Sequence, residues 1–544
     1  MQLSHISIGG GITGTETIIT AINNIISKIK RKNSLKKKFI FGIIDKSPEN
    51  IPGGVAYGFE KSMYGYFNNP LRLSPSNFKR WVLLKKNKLK IINYLNCYGG
   101  FTGKLWIKKN KKILYSSNNK KLDELYIPRV FMNLWMEEKL CNIIKKIKKF
   151  NDNSKIKIEI HFYKGEVYKI KKEQKTYKIS FKDNFYQILN YKISSNGFRK
   201  IIFSNDKKVK YPIQSISQSI GLGLPPPRQI AKKNTQNNEN YIWDFYDAGS
   251  TSFLIKKILK ISKHKKKIKI YFIGYKAGLL EALPELSALI IKKKLNIKII
   301  CSSKKLTSIQ IAQLSSSKKK YKLKILTKKN LLNINTAKKL QQSIQNELEL
   351  TKSYGFKKYD AWTIILKKKI ISNCIKNFNR KQKIMYDTFY HSKIRNETRF
   401  TYPETILARE LLIKKGVLEA KKETVKSVFN SKKLLIVKTI NNKQKICKYA
   451  CDIVVNVSGP LSADKINNEV PIIKYIKKNG AKINPNSGSF IVNKNFELNG
   501  LKNFYLPGTI AQGFNPERKT IISAILKNSN IVGNNISSNL LKNC

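Results

Sequence analysis

The segment that most constrains this chain is Gly9-Gly10-Gly11-Ile12-Thr13-Gly14. It sits between a short apolar run, His5 to Ile8, and a stretch with Ile18, Ile19, Ala21, Ile22, Ile25 and Ile26 on or near one face. That spacing predicts a helix, and the run before the glycines predicts a strand. A basic loop leads to a second apolar run, Phe39 to Ile44, which ends at Asp45. Strand, glycine turn, helix, strand and acid in this order describe a βαβ unit that binds a dinucleotide. Gly9 permits the tight turn, Gly11 lets backbone approach a pyrophosphate, and Gly14 allows close packing of helix on strand. The helix N-terminus offers free N–H groups and a positive dipole end to the phosphates. Asp45 is expected to accept hydrogen bonds from ribose hydroxyls. An acid at that place, rather than a base, favours an adenine dinucleotide without a 2′-phosphate.

A second strand, glycine turn and helix follow at Ile268 to Ile273, Gly274 and Gly278, with a further strand at Ile297 to Cys301 closed by Ser302-Ser303-Lys304-Lys305. Residues 155–204 alternate in polarity between turn residues and predict a β-meander. Pro225-Pro226-Pro227 marks a linker, and residues 330–415 are helical in pattern. The chain returns to β structure at Asp452 to Pro460 and runs through Asn503 to Asn515 into a helix from about Lys519. The expected fold is α/β: two Rossmann-like dinucleotide-binding domains, the second inserted in the first, with a β-meander and a helical substrate-side region.

Composition narrows the function classes. The 544 residues include 107 Lys and Arg against 33 Asp and Glu, a formal charge of +74, yet only 11 of the basic residues are Arg. The excess is Lys, and it comes with runs of Asn and Ile. All three have codons rich in A and T, so an AT-biased genome accounts for the charge. The lysines are spread along the chain and no RRM, KH, zinc or helix-turn-helix signature accompanies them. A basic nucleic-acid-binding protein is thus the weaker alternative. Seven scattered Cys and four His argue against a disulfide framework and against a metal site. No uncharged stretch reaches about 18 residues, so no membrane insertion is expected. The N-terminal pattern is not that of a signal peptide, and the expected location is the cytoplasm.

In its scattered motifs the chain resembles the FAD/NAD(P)-binding flavoprotein oxidoreductases related to N-hydroxylating and Baeyer–Villiger monooxygenases. Gly9, Gly11 and Gly14 match the FAD fingerprint, and Gly54-Val-Ala-Tyr-Gly58 resembles the family's G-x-A-Y-G segment. Asn68-Asn69-Pro70 with Ser74 and Phe78-x-x-Trp81 resembles its N-x-P, serine and F-x-x-W stretch, and Pro128-Arg129 resembles its P-R helix start. Val455-x-x-Ser458-Gly459-Pro460 resembles the strand-to-glycine element near the flavin, and Gly508 matches the last glycine of the FAD site.

The resemblance implies an FAD-binding domain over residues 1–210, completed by 421–544, an NAD(P)-binding-like domain over 211–330 and a helical substrate-side region over 331–420. It implies FAD and NADPH as cofactors and a small-molecule substrate, with hydride transfer and oxygen chemistry supplied by the cofactors. Asn68, Ser74, Arg129, Gly459 and Gly508 join the FAD-side candidates. Gly274, Gly278, Ser303, Lys304 and Lys305 become the NADPH-side candidates, the last three standing where the family accepts the 2′-phosphate. Arg72, Arg80 and Arg129 are candidates for contacts needing a planar fork. No single catalytic residue is singled out. One departure matters: Lys276 replaces the middle glycine of the second turn, where a side chain obstructs a pyrophosphate or supplies charge to it. A flavoprotein that keeps FAD but has lost NADPH is the alternative this raises.

Overall fold

The computed structural model describes residues 3–29, 37–47, 51–58, 64–173, 176–182, 185–193, 199–206, 216–218, 230–231, 233–245, 249–275, 277–304, 306, 310–311, 314–315, 320–398, 400–431, 434–458, 463–466, 470–485, 488–508, 510–511 and 521–542. The first sheet begins as the sequence suggests. Strand β1 (His5–Ile8) is buried throughout, helix α1 (Ile12–Ile29) crosses over, and β2 (Lys38–Asp45) returns parallel to β1. The continuous apolar run of β2 suits a parallel strand covered on both faces.

Residues 155–204 do form strands, but not one meander. β3 (Lys157–Lys164) runs parallel to β2, while β4 (Glu166–Glu173) and β5 (Thr176–Lys182) make a separate antiparallel pair. β6 (Phe185–Ile193) and β7 (Arg199–Asp206) form a further antiparallel pair that joins the first sheet on β3. The physical reason is burial. Pairing with β2 puts Ile158 and Phe162 into the sheet core, and β4–β5 folds over the same core with Val167, Ile170 and Tyr177. The short strands β8 (Ile216–Gln218) and, much later, β19 (Phe504–Tyr505) extend the sheet on the other side of β1. The order is β19-β8-β1-β2-β3-β6-β7.

The second sheet has five parallel strands in the order β14-β11-β10-β18-β9. They are β9 (Tyr241–Ile242), β10 (Lys267–Ile273), β11 (Asn296–Ser302), β14 (Leu418–Lys421) and β18 (Ile453–Asn456). Between β14 and β18 the chain makes an antiparallel excursion of three strands, β15 (Glu423–Ser431), β16 (Leu434–Asn441) and β17 (Ile446–Cys451). The two-residue strands β12 (Gln310–Ile311) and β13 (Phe400–Thr401) pair with each other. Residues 337–397 are mainly helical and have their own apolar core around Leu340, Ile344, Leu348 and Ile365.

Four further helices position the site: α2 (Val130–Asp152), α3 (Ala277–Lys293), α4 (Pro403–Lys414) and α5 (Ile521–Lys542). α5 lies on α1 closely enough that a Cβ on Gly533 would stand 2.7 Å from the Thr17 carbonyl oxygen. Side chains lace the same crossing, with Thr20 donating to Asn530 and Asn24 to Asn534. Among the described residues, no helix is long and apolar enough to cross a membrane.

Candidate functional site

The first glycine turn is held from both sides. Gly9 has φ +106°, a conformation that glycine adopts without strain. Its N–H donates to the Ile44 carbonyl at 2.7 Å, fixing the turn to the end of β2. The next N–H, on Gly10, donates to Asp45 Oδ2 at 2.7 Å, and Ser47 N–H donates to Asp45 Oδ1 at 2.8 Å. Asp45 therefore closes the turn with the carboxylate that the sequence reading assigned to a ribose. A carboxylate has acceptor sites for more than two hydrogen bonds, so closing the turn does not by itself exclude a ribose contact. Gly11 faces Gly54: a Cβ on Gly11 would find the Gly54 Cα at 3.6 Å, an ordinary contact. A Cβ on Gly10 would collide with Ile51 at 2.5 Å. Gly14 is buried in the first turn of α1. The turn is thus a cradle of small residues at a helix N-terminus, with an acid at the end of the next strand. Its residues fit the pyrophosphate and ribose of a dinucleotide.

The second turn repeats the first at its opening glycine. Gly274 has φ +120°, and its N–H donates to the Ser302 carbonyl at 2.9 Å. A Cβ on Gly274 would stand 2.9 Å from the Val457 carbonyl oxygen, so β10 and the end of β18 approach through this glycine. By register Ile8 pairs with Ile44 as Ile273 pairs with Ser302, which makes Gly274 the counterpart of Gly9 and Ser303 the counterpart of Asp45. Ser303 N–H is taken by the Lys421 carbonyl at 3.1 Å, and Lys304 is exposed. Gly278 lies in the first turn of α3. Lys276, Lys305 and Gly459 lie outside the described residues.

Between the two sheets is a cavity of about 200 Å³. Asn68, Ser74 and Arg129 lie on its wall, the three candidates drawn from separate segments of the first 130 residues. From the other side come Leu280, Glu281 and Pro284 of α3, then Thr401, Tyr402 and Thr405 at the β13–α4 junction, and Ile522 at the start of α5. The remaining wall is largely aromatic, with Tyr57, Tyr64, Tyr66 and Phe67. Tyr66 stacks on Tyr402 with ring centres 4.8 Å apart. Burial raises both hydroxyls far above the ordinary tyrosine value, so both remain protonated. Thr401 Oγ1 donates to Asn68 Oδ1 at 3.3 Å, tying the helical region to the Asn68 loop.

Arg129 does not face the cavity as a free cation. Its Nη2 lies 2.7 Å from Glu281 Oε2, and the two side chains are only 12% and 8% exposed. One turn further along α3, Glu285 accepts hydrogen bonds from Phe101 N and Thr102 N at 3.0 Å each, and from the Thr102 hydroxyl. Space for both carboxylates is made by glycine. A Cβ on Gly65 would lie 3.1 Å from Glu281 Oε1, and one on Gly100 would lie 2.4 Å from Glu285 Oε1.

The other two arginines are placed elsewhere. Arg72 Nε pairs with Glu124 at 2.5 Å beneath the Tyr359 ring, and Arg80 bonds Asn77 on the exterior. Gly508 is buried just beyond β19. Sequence reasoning missed Glu281, Glu285, Tyr66 and Tyr402. The two acids had a usable signal: in a chain this basic, carboxylates four apart on an otherwise apolar helix mark a contact. The tyrosines, 2 of 26, had none. Among the described residues, no group of His, Cys, Asp and Glu is placed to hold a metal ion.

No protein-family model and no curated protein matches the sequence. Solved structures do. The ornithine N-hydroxylase of Kutzneria sp. 744, described with reduced FAD, NADP+ and L-ornithine, aligns with a TM-score of 0.51 at 8% identity over 99% of this chain and 100% of that one. The reduced ornithine hydroxylase of Pseudomonas aeruginosa gives 0.49 at 9% identity, over 99% and 100%. The thioredoxin reductase of T. acidophilum gives 0.41 at 10% identity, over 99% of each chain. The likeness to the Kutzneria protein shows that this chain shares that protein's mixed α/β fold.

Proposed function

We propose that this chain is an FAD-dependent, NADPH-using oxidoreductase, a monooxygenase acting on a small metabolite. The observation that carries the reading is the cavity between the sheets, where Asn68, Ser74 and Arg129 meet the helix that follows the second glycine turn. On this reading the first sheet holds FAD, the second holds NADPH and 331–420 cover the substrate; the bounds 1–210, 211–330 and 421–544 shift, because β8 (Ile216–Gln218) pairs in the first sheet whereas β14 (Leu418–Lys421) and β18 (Ile453–Asn456) pair in the second. The turn Gly9–Gly11 and the α1 N-terminus receive the FAD pyrophosphate, with Gly14 under them, and Asp45 shares its carboxylate between Gly10 N–H and a ribose. Gly274 and Gly278 form the corresponding turn for NADPH. Ser303 takes the place of Asp45, which removes the carboxylate that would repel a 2′-phosphate, and Lys304 with Lys305 supplies positive charge. Gly508 approaches the flavin from the return segment, and Gly459 is a flavin-side candidate from the sequence.

When bound, the two cofactors would supply hydride transfer and oxygen activation. The chain's own contribution is position and exclusion of water. Tyr66 and Tyr402 give the cavity a protonated aromatic wall, and the Arg129–Glu281 pair joins the segment before α2 to α3 across it. Such chemistry needs no Ser/His/Asp arrangement.

The test is a visible spectrum of the purified protein, before and after NADPH is added without oxygen. The expected result is a flavin band that bleaches. A band that stays would support the reading in which FAD is kept and NADPH is not. No flavin after reconstitution with FAD would overturn the proposal.

A further inference from the structure

Arg129 and Glu281 are the charged side chains on the cavity wall among the described residues, and they belong to different parts of the fold. Arg129 immediately precedes α2, whereas Glu281 is 152 residues later on α3. Both are nearly buried, and Arg129 Nη2 lies 2.7 Å from Glu281 Oε2. Gly65 lies against both: a Cβ there would meet Glu281 Oε1 at 3.1 Å and Arg129 Cζ at 3.3 Å. The place is therefore built to hold the two charges together. Around them the wall consists of neutral groups. Tyr66 and Tyr402 are held protonated by burial, and Asn68, Ser74 and Thr405 carry no charge.

A buried guanidinium without a partner would attract a carboxylate or phosphate strongly, because little water screens it. Glu281 fills that role from within the chain. An incoming anion would have to displace it and leave a second buried carboxylate uncompensated, which is the costlier arrangement. A volume of about 200 Å³ with an aromatic lining suits one planar ring.

We propose that Glu281 sets the charge selectivity of this cavity: by pairing with Arg129 it leaves the wall neutral, so the site takes the uncharged planar ring of a substrate and turns away carboxylates and phosphates. The proposal rests on the oxidoreductase reading for the word substrate, but the selectivity belongs to the cavity itself. Glu281 acts here as a specificity-determining residue; it makes no covalent step and moves no proton.

The experiment is calorimetric titration of the FAD-loaded protein with two probes of one size, benzyl alcohol and benzoate. The wild-type protein is expected to bind benzyl alcohol at least about tenfold more tightly than benzoate. Glu281→Gln keeps the side-chain shape but removes the negative charge that faces the guanidinium, and benzoate should tighten by about ten- to a hundredfold, the worth of a charged hydrogen bond. In the double variant Arg129→Gln/Glu281→Gln benzoate should be lost again while benzyl alcohol binding stays, which also reports that the cavity is intact. Equal binding of the two probes to the wild type would overturn the proposal even if neither variant folded. So would benzoate affinity unchanged in Glu281→Gln, or benzyl alcohol binding only to protein stripped of FAD. The visible spectrum of the same sample separates the two ideas. A sample without flavin would sink the oxidoreductase reading, and the benzoate comparison, run on that flavin-free protein, would still test the neutral wall.

Discussion

The two glycine turns of this molecule share the conformation of their opening glycine and differ in what surrounds it. At the first position of each, Gly9 and Gly274 have φ of +106° and +120°, and each N–H bonds to the next parallel strand. This glycine belongs to the fold. At Gly274 the point is plain, because a Cβ would meet the Val457 carbonyl with no ligand involved. The middle position is different. Gly11 has room for a methyl group beside Gly54, so the folded chain does not demand glycine there. On the proposed reading, what asks for glycine there is the FAD pyrophosphate approaching the backbone. In the second turn the middle position is Lys276. One can therefore keep the architecture of a dinucleotide turn while its ligand requirement changes, and the two glycines report on different things.

The largest effect expected from breaking this comparison is at Gly274. Gly274→Ala combines a strained φ with a collision and should destabilise the protein by about 2–5 kcal/mol, read as a lowered urea midpoint. If the midpoint does not move, the close approach of β10 and β18 is wrong. A second difference between the turns lies one strand back. His5 stands at the register position that Ile270 fills in the second sheet. Burial lowers the His5 pKa to about 3, so it is neutral in the folded protein and has no obligatory charge to compensate. Below its unfolded value of about 6.5 the unfolded chain takes up a proton that the folded chain refuses. Stability should then fall as pH drops from about 6.5 towards 3, by up to about 1.4 kcal/mol per pH unit from this group. His5→Ile should flatten that slope in denaturation measured across the window.

Smaller effects sharpen the contrast between positions in one turn. Gly10→Ala must push Ile51 aside and should cost about 1–3 kcal/mol. Gly11→Ala should change stability by less than about 0.5 kcal/mol yet lower the FAD content of the purified protein. Equal effects on folding from the two would remove the distinction drawn here. The smallest is Ser303→Asp, which restores in the second turn the acid of the first. It should weaken NADPH relative to NADH by about tenfold, measured by equilibrium titration, with little change in thermal midpoint.

Much of the frame was legible in order along the chain. Gly9 to Asp45 read as strand, turn, helix, strand and acid because every one of those signals is local. The ends of β10 and β11 were legible for the same reason. The division of residues 155–204 between sheets was not, since alternation in polarity shows that a segment is extended but not which strand it pairs with. Asp45 shows the same limit at one residue. Its place at the end of β2 could be read, while its bond to Gly10 N–H needed the turn to be closed in space. Asn68, Ser74 and Arg129 came from the family resemblance and lie on one cavity, but the partner of Arg129 is 152 residues away and left no mark near it. Arg72 looked equivalent in sequence. It is engaged by Glu124 and Tyr359, because in a chain with few arginines a fork-shaped cation is useful for holding a scaffold as well as for binding.

The crossing of α1 and α5 has a consequence for the order of events at the ribosome. The strands of the second sheet, residues 241–456, have all been translated before β19 or α5 exists. α1, by contrast, waits for residues 521–542 before Thr17, Thr20 and Asn24 can meet Gly533, Asn530 and Asn534. The half of the molecule that is synthesised first is thus finished last. Until then one flank of α1 stays uncovered, and nascent chains halted before residue 521 would present it to chaperones while carrying a completed second sheet.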